Sequence, residues 1–392
     1  MQGESLAIGS TSRGRELGYA LTKLGHRVQQ VSAIYLYKQL QDKTLGHLDA
    51  IVLGGTWHQI QGASGYPIQI AELADSIGVP CLWWYGSNGC PHLSFAPDPV
   101  ERKAEHDRTV EAICRRHFMT VIAPYCVDVY EKSGVPRDKM RVCPTLFDSD
   151  LFHVPSAHEK AGRRRLCWDW NIPYGGFFMG TVSNTPNSKG GDDTLRAMAL
   201  LAKEMPDLHY FLHTNEPARL SKRKAIGPKG NVGKSEFDVL EDTKMLAAQL
   251  GLRDRVHFRG MRVDRRYMPW SYLMMDLYVS PSKAENLGQP FIESQLCGIP
   301  LVTYKGFSFD YCACPHSATQ YEPCGTVQDD WGLVIPETKP EDLADAIRKG
   351  RHIAETQGMA DKTHDWAAEK FDHRNATKMV DAIHEYRGMM AR

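Results

Sequence analysis

The sequence lacks net charge, with 47 Lys and Arg set against 47 Asp and Glu. Such a balance creates no global field that would draw the chain to nucleic acid or an anionic membrane, although a local patch still could. No run approaches the roughly 18 apolar residues of a membrane-crossing helix, so no transmembrane segment is expected. The opening MQGESLAIGSTSRGREL has no long apolar stretch either, so no secretory signal peptide is expected. Ten cysteines are scattered over 392 residues, unlike the dense framework of a small disulfide-stapled domain. Reduced thiols in a cytoplasmic protein are the expectation. Internal repeats and low-complexity segments are absent. The length exceeds one compact core and fits about two domains.

Strand-like and helix-like runs alternate. SLAIGS, DAIVLGG, VPCLWWYG and MTVIAP read as strands, with RGRELGYALTKLGH, YPIQIAELADSIG and PVERKAEHDRTVEAICRRH as the helices among them. Gly25 is the expected helix stop. The pattern lapses over 153–176, HVPSAHEKAGRRRLCWDWNIPYGG, and a domain boundary is expected there. It then restarts with FFMGTVS, LHYFLHT, RVHFRG, DLYVSP and PLVTY as strands, and becomes largely helical after Pro336. Alternation of this kind implies parallel β-α-β units with right-handed crossovers. The reading is an α/β chain of two doubly wound, Rossmann-like domains facing across a cleft: an N-terminal domain over 1–155, a C-terminal domain over 172–355, and helices over 356–392 that pack back on the first. Ligands in such sheets bind beyond the carboxyl ends of the strands.

The segment AENLGQPFIESQLCGIP at 284–300 holds two glutamates, Glu285 and Glu293, with seven residues between them. Pro290 suits a first helical turn, which leaves Glu285 in a loop and Glu293 on the helix. Amide groups between Gly288 and Phe291 would form an anion-binding end. A carboxylate can accept hydrogen bonds from two neighbouring hydroxyls, so carboxylates flanking a phosphate site suit a nucleotide sugar. The alternative is a loop-capping Glu285 and a solvated Glu293.

This segment resembles the signature of the retaining GT-B glycosyltransferases, family 4-like (glycosyl transferases group 1). The likeness extends to LTKLGHRV, PTLFDSDLF at 144–152, LGLRDRVHFRGM, DDWGLVIP and PEDLADAIRKG. The resemblance implies a retaining transfer from a nucleotide-sugar donor (UDP, GDP or ADP), with no cofactor and no essential metal. The leaving phosphate would help to deprotonate the acceptor hydroxyl. Glu293 would bind the donor ribose and Glu285 the transferred sugar. Asn286, Leu287 and Gly288 would offer backbone amides, and Lys189 with Gly190 would meet the diphosphate. The position after Gly180 is Thr181 where the family often has arginine, so Ser183 and Asn184 are the further phosphate candidates. Gly9 and Ser10 occupy the donor-facing loop after the first strand. Lys189, Glu285 and His58 are the expected catalytic residues, and Trp57, His58, Tyr85 and His92 the expected acceptor contacts. Trp83 and Trp84, inside a strand, are expected in the core.

The acceptor class stays open between saccharide, lipid and modified nucleic acid, as does the oligomeric state. Basic runs at 163–165 and 219–234 raise a phosphate track, and with it transfer to hydroxymethylated DNA bases. A nucleotide-sugar epimerase or phosphorylase, or a silent nucleotide-sugar binder, would use a similar cleft. GPKGNVGKS at 227–235 is rejected as a P-loop, because Pro228 stands where glycine is required. Cys312, Cys314, His316 and Cys324 are possible zinc ligands at non-standard spacing, with reduced thiols the plainer reading.

Overall fold

The computed structural model describes residues 5–9, 12–44, 46–55, 66–85, 100, 104, 107, 110–111, 114, 119–183, 189–214, 236–260, 264–283, 285, 287–306, 308–328 and 334–391. The chain divides into two compact units, Met1–Asp148 with Lys370–Arg392, and Ser149–Glu369.

In the first unit, strands β1 (Ser5–Gly9), β2 (Arg27–Val31), β3 (Ala50–Gly55), β4 (Cys81–Tyr85), β5 (Met119–Val121) and β6 (Met140–Val142) form one sheet, ordered β2-β1-β3-β4-β5-β6. Every pairing is parallel. The central strands read as continuous apolar runs because both faces of a parallel sheet are covered, and Ile51, Val52, Leu82, Trp83 and Trp84 are buried. The Trp84 indole N–H donates to the Cys143 carbonyl at 2.9 Å, so both tryptophans are core residues. β2 had no apolar signal because it is an edge strand with only Val31 buried. The helix Ser12–Lys23 stops before Gly25, whose φ of +89° provides the left-handed turn. The helix Thr377–Met390 also belongs here, with the Arg141 guanidinium donating to Glu385 at 2.9 Å.

In the second unit, strands β7 (Phe177–Val182), β8 (Leu208–Thr214), β9 (Val256–Gly260), β10 (Leu277–Val279), β11 (Leu301–Tyr304) and β12 (Ala318–Tyr321) form a sheet ordered β12-β11-β10-β7-β8-β9. It too is parallel throughout. A short antiparallel hairpin, Gly325–Gln328 with Val334–Glu337, stands apart. Helices lie on both faces. Successive residues of a strand point to opposite sides, and Arg351 of the helix Pro340–Ala354 lies over the Phe177 ring while Arg163 of the helix Ala157–Asp169 lies over Phe178.

The segment where the pattern lapsed forms that helix Ala157–Asp169, opened by a reciprocal capping box between Ser156 and Glu159. It buries only Cys167 and is otherwise anchored by an ion pair, which is why periodicity missed it. Arg163 forks onto Asp276 at 2.6 and 2.8 Å, and the Phe178 amide donates to the same carboxylate at 2.8 Å. Among the described residues no helix is long and apolar enough to cross a membrane.

Candidate functional site

The second sheet reverses its winding between β7 and β10: β8 and β9 continue to one side, β11 and β12 to the other. In sheets of this kind the ligand crevice lies at the carboxyl ends of the two strands that flank such a reversal. Both halves of the sequence signature leave from this point. β7 delivers Lys189 and Gly190, and β10 delivers Glu285.

Gly190 has φ +73° and caps the helix Gly191–Leu201, whose Thr194 hydroxyl donates to its carbonyl at 2.9 Å. A Cβ at Gly190 would fall on the carbonyl oxygen of Pro281, so the two loops touch backbone to backbone. The Ser280 hydroxyl donates to the Lys189 carbonyl at 3.4 Å. Across this contact the Lys189 ammonium pairs with Glu285 Oε1, onto which the Ser282 hydroxyl also donates at 3.4 Å.

The Glu285 loop is tied down from behind. The Ser308 hydroxyl donates to the Glu285 carbonyl at 2.9 Å, and the Cys312 thiol to the Leu287 carbonyl at 2.8 Å. Gly288, at φ +56°, turns the chain into the helix Gln289–Leu296. The Phe291 amide, expected to be free for an anion, instead donates to the Gly288 carbonyl at 2.8 Å because the turn closes on itself. Gln295 donates to the Cys312 carbonyl and accepts from the Cys314 amide, both at 2.7 Å. This bracing is what the cysteine segment does. Cys312 and Cys314 are buried, Cys324 and His316 are exposed, and no cluster of three metal-ligating side chains occurs among the described residues. The zinc possibility is therefore not supported.

Glu293 is no solvated helix residue, being 6% exposed. Its Oε2 accepts from the Tyr272 hydroxyl at 2.6 Å, and its Oε1 lies 3.4 Å from Arg265 Nη1. Burial, then the Glu293 charge, pushes the Tyr272 hydroxyl well above the ordinary range, so it stays a donor. Phe152 lies edge-on to Tyr272 at 6.1 Å and beneath the Arg265 guanidinium at 5.3 Å. Neither Tyr272 nor Arg265 stood out in the sequence. Thr181, where an arginine was missed, is buried; it donates to the Val279 carbonyl and accepts from the Tyr210 hydroxyl at 3.0 Å. It ties β7 to β10 at the reversal.

Of the other expected residues, Ser183 is buried and its amide donates to the His213 carbonyl at 2.9 Å. Gly9 ends β1 opposite Val31, and Tyr85 ends β4 opposite Val121. Ser10, Trp57, His58, His92, Asn184 and Asn286, with the runs 219–234 and 227–235, lie outside the described residues. The basic run 163–165 is no continuous track. Arg163 binds Asp276, Arg164 lies over the Tyr174 ring and Arg165 binds Asp169, so the three guanidinium groups serve three separate partners.

The profile of the family described as glycosyl transferases group 1 matches residues 162–362. The chain is 29% identical over 206 residues to a D-inositol 3-phosphate glycosyltransferase of Thermobispora bispora, covering 52% of this chain and 43% of that protein. The chain spans less than half the length of the curated relatives it matches. Among solved structures it resembles a glycosyltransferase from Rickettsia africae (TM-score 0.69, 14% identity, 98% of this chain and 99% of that one). It also resembles Anabaena HepE in complex with UDP and glucose (TM-score 0.65, 16% identity, 97% and 98%). At these identities the likeness shows the fold, two Rossmann-like units of the GT-B type.

Proposed function

Because the chain belongs to the glycosyl transferases group 1 family, we propose that it moves a sugar from a nucleoside diphosphate sugar to an acceptor hydroxyl, with retention at the anomeric carbon. One observation carries the reading. A lysine and a glutamate are delivered to one crevice by the two strands flanking the reversal of the sheet, with a second, buried glutamate on the helix that follows.

In this reaction the bond between the anomeric carbon and the diphosphate oxygen breaks, and its electron pair leaves on the phosphate. The acceptor oxygen bonds to the same face of the carbon, and its proton passes to the departing phosphate oxygen. Lys189 stabilises the charge on the diphosphate as it develops. To do so it exchanges the Glu285 carboxylate for phosphate, which frees Glu285 for hydroxyls of the transferred sugar. Glu293 accepts from the ribose hydroxyls. Acceptor contacts are assigned to Trp57, His58, Tyr85 and His92.

The test is thermal melting against UDP, GDP, ADP and CDP and their common sugar conjugates, on wild type and Glu293→Ala. A ligand that binds only the folded state raises Tm by mass action. One nucleotide family should raise it, and the variant should lose the shift. No shift with any nucleotide would refute the reading.

A further inference from the structure

We propose that Tyr272 is a positioning residue that locks the Glu293 carboxylate and thereby sets the discrimination between ribose and 2′-deoxyribose in the donor nucleotide. The inference rests on Glu293 being the ribose acceptor, and extends that reading to residues that never touch the ligand.

A carboxylate at an exposed helix position samples several rotamers and turns to water when a ligand hydroxyl is missing. Glu293 has no such freedom. It is 6% exposed, one oxygen is held by a fully buried hydroxyl at 2.6 Å, and the other faces a guanidinium at 3.4 Å. The two partners are themselves fixed. Tyr272 is buried against Phe152 and Tyr278, and Arg265 rests on the Phe152 ring. Phe152 closes PTLFDSDLF, the segment singled out in the sequence, so an aromatic that looked like part of a connector is the floor beneath both partners.

A vicinal diol would bind beside the Tyr272 hydroxyl and the Arg265 guanidinium, which face one oxygen each of a carboxylate that offers about four lone-pair positions. Its orientation is what Tyr272 determines. A locked carboxylate that meets a 2′-deoxyribose is left with an unsatisfied lone pair in a buried site, which penalises the wrong sugar. A loose carboxylate swings towards water and tolerates it. Removing the Tyr272 hydroxyl should therefore weaken ribonucleotide binding and, more tellingly, shrink the ratio of ribonucleotide to deoxyribonucleotide affinity. A tyrosine that only stabilised the core would lower Tm and leave that ratio alone.

Calorimetric titration of wild type with UDP, GDP and ADP identifies the nucleotide that binds. Its 2′-deoxy counterpart is then titrated against wild type, Tyr272→Phe, Glu293→Ala and Phe152→Leu. Wild type should prefer the ribonucleotide by on the order of tenfold or more, and Tyr272→Phe should bring the two to within about threefold. Phe152→Leu, which keeps both partners but loosens their floor, should fall between, and it decides the matter if Tyr272→Phe does not fold. An unchanged ratio in Tyr272→Phe, with the ratio collapsed in Glu293→Ala, overturns the inference and leaves the donor reading intact. An unchanged ratio in Glu293→Ala removes Glu293 as the ribose acceptor and overturns it too. Failure of every nucleotide to bind wild type instead refutes the donor reading itself.

Discussion

Lys189 and Glu285, 96 residues apart in the chain, hold each other's charge where the second sheet reverses. On the proposed function a bound donor parts this pair, with the lysine turning to the diphosphate and the carboxylate to the sugar. A nucleoside diphosphate without its sugar must therefore compete with Glu285. Glu285→Gln should bind that nucleotide about threefold to tenfold more tightly while losing about 100-fold or more in transfer. Lys189→Ala should lose both. Calorimetry on the nucleotide and a labelled-donor assay read the two effects. Equal weakening of nucleotide binding in both variants would mean that the pair does not compete with the ligand.

Gly190 should tolerate no side chain. Its φ is +73° and its Cβ position is taken by the Pro281 carbonyl. Gly251 is a matched control, with φ +70° and nothing within 4 Å of its Cβ position. Gly251→Ala should cost only the backbone strain, about 1 kcal/mol, and Gly190→Ala about 2–4 kcal/mol with loss of donor binding. Urea denaturation of both variants separates the two contributions.

Stability should depend on pH through a histidine pair away from the crevice. His209 Nδ1 and His257 Nε2 are 3.1 Å apart, with His209 stacked on Phe178 and His257 tilted beside it. Burial, then the neighbouring imidazole, pushes His257 down to about 4, and burial, then the Arg255 charge, lowers His209. The folded state thus disfavours protonation. The stability this contributes is fully present above about pH 6.5 and is lost as pH falls towards 4, by on the order of 1–3 kcal/mol. In His257→Gln the fall in Tm between pH 6.5 and 4.5 should be shallower than in wild type. Parallel curves would exclude the pair as the cause.

Arg163 is held by geometry as well as charge. Its fork meets both Asp276 oxygens while its plane lies over Phe178. The pair is partly exposed, so Arg163→Ala should cost about 1–3 kcal/mol rather than the full penalty of a deeply buried ion pair. Arg163→Lys keeps the charge without the fork and should recover less than half of the loss. Full recovery in the denaturation midpoint would show that charge alone matters.

The parts of this molecule legible in the sequence are those governed by burial on both faces or by backbone geometry. The strands β3, β4, β7, β8 and β11 read directly because a covered parallel sheet demands apolar runs. Gly25, read as a helix stop, has the positive φ that such a stop needs, and Gly190 and Gly288, read only as donor contacts, have it too. Edge strand β2 and the helix Ala157–Asp169 were not legible, since one is largely exposed and the other is anchored by an ion pair to a residue 113 positions away. Glu285 and Glu293 stood out through their spacing, but the groups that hold Glu293 did not. Tyr272 and Arg265 reach it from a separate segment, and a phenol or guanidinium at such a distance leaves no periodic trace.

The first unit is built from both ends of the chain, residues up to Asp148 together with Lys370–Arg392, whereas the second is one continuous stretch. During synthesis the ribosome releases all of the second unit before the helix Thr377–Met390 emerges. Domains usually mature from the amino end as they leave the ribosome. Here the order is inverted: the second unit can complete its fold while the first sheet still waits for its last helix.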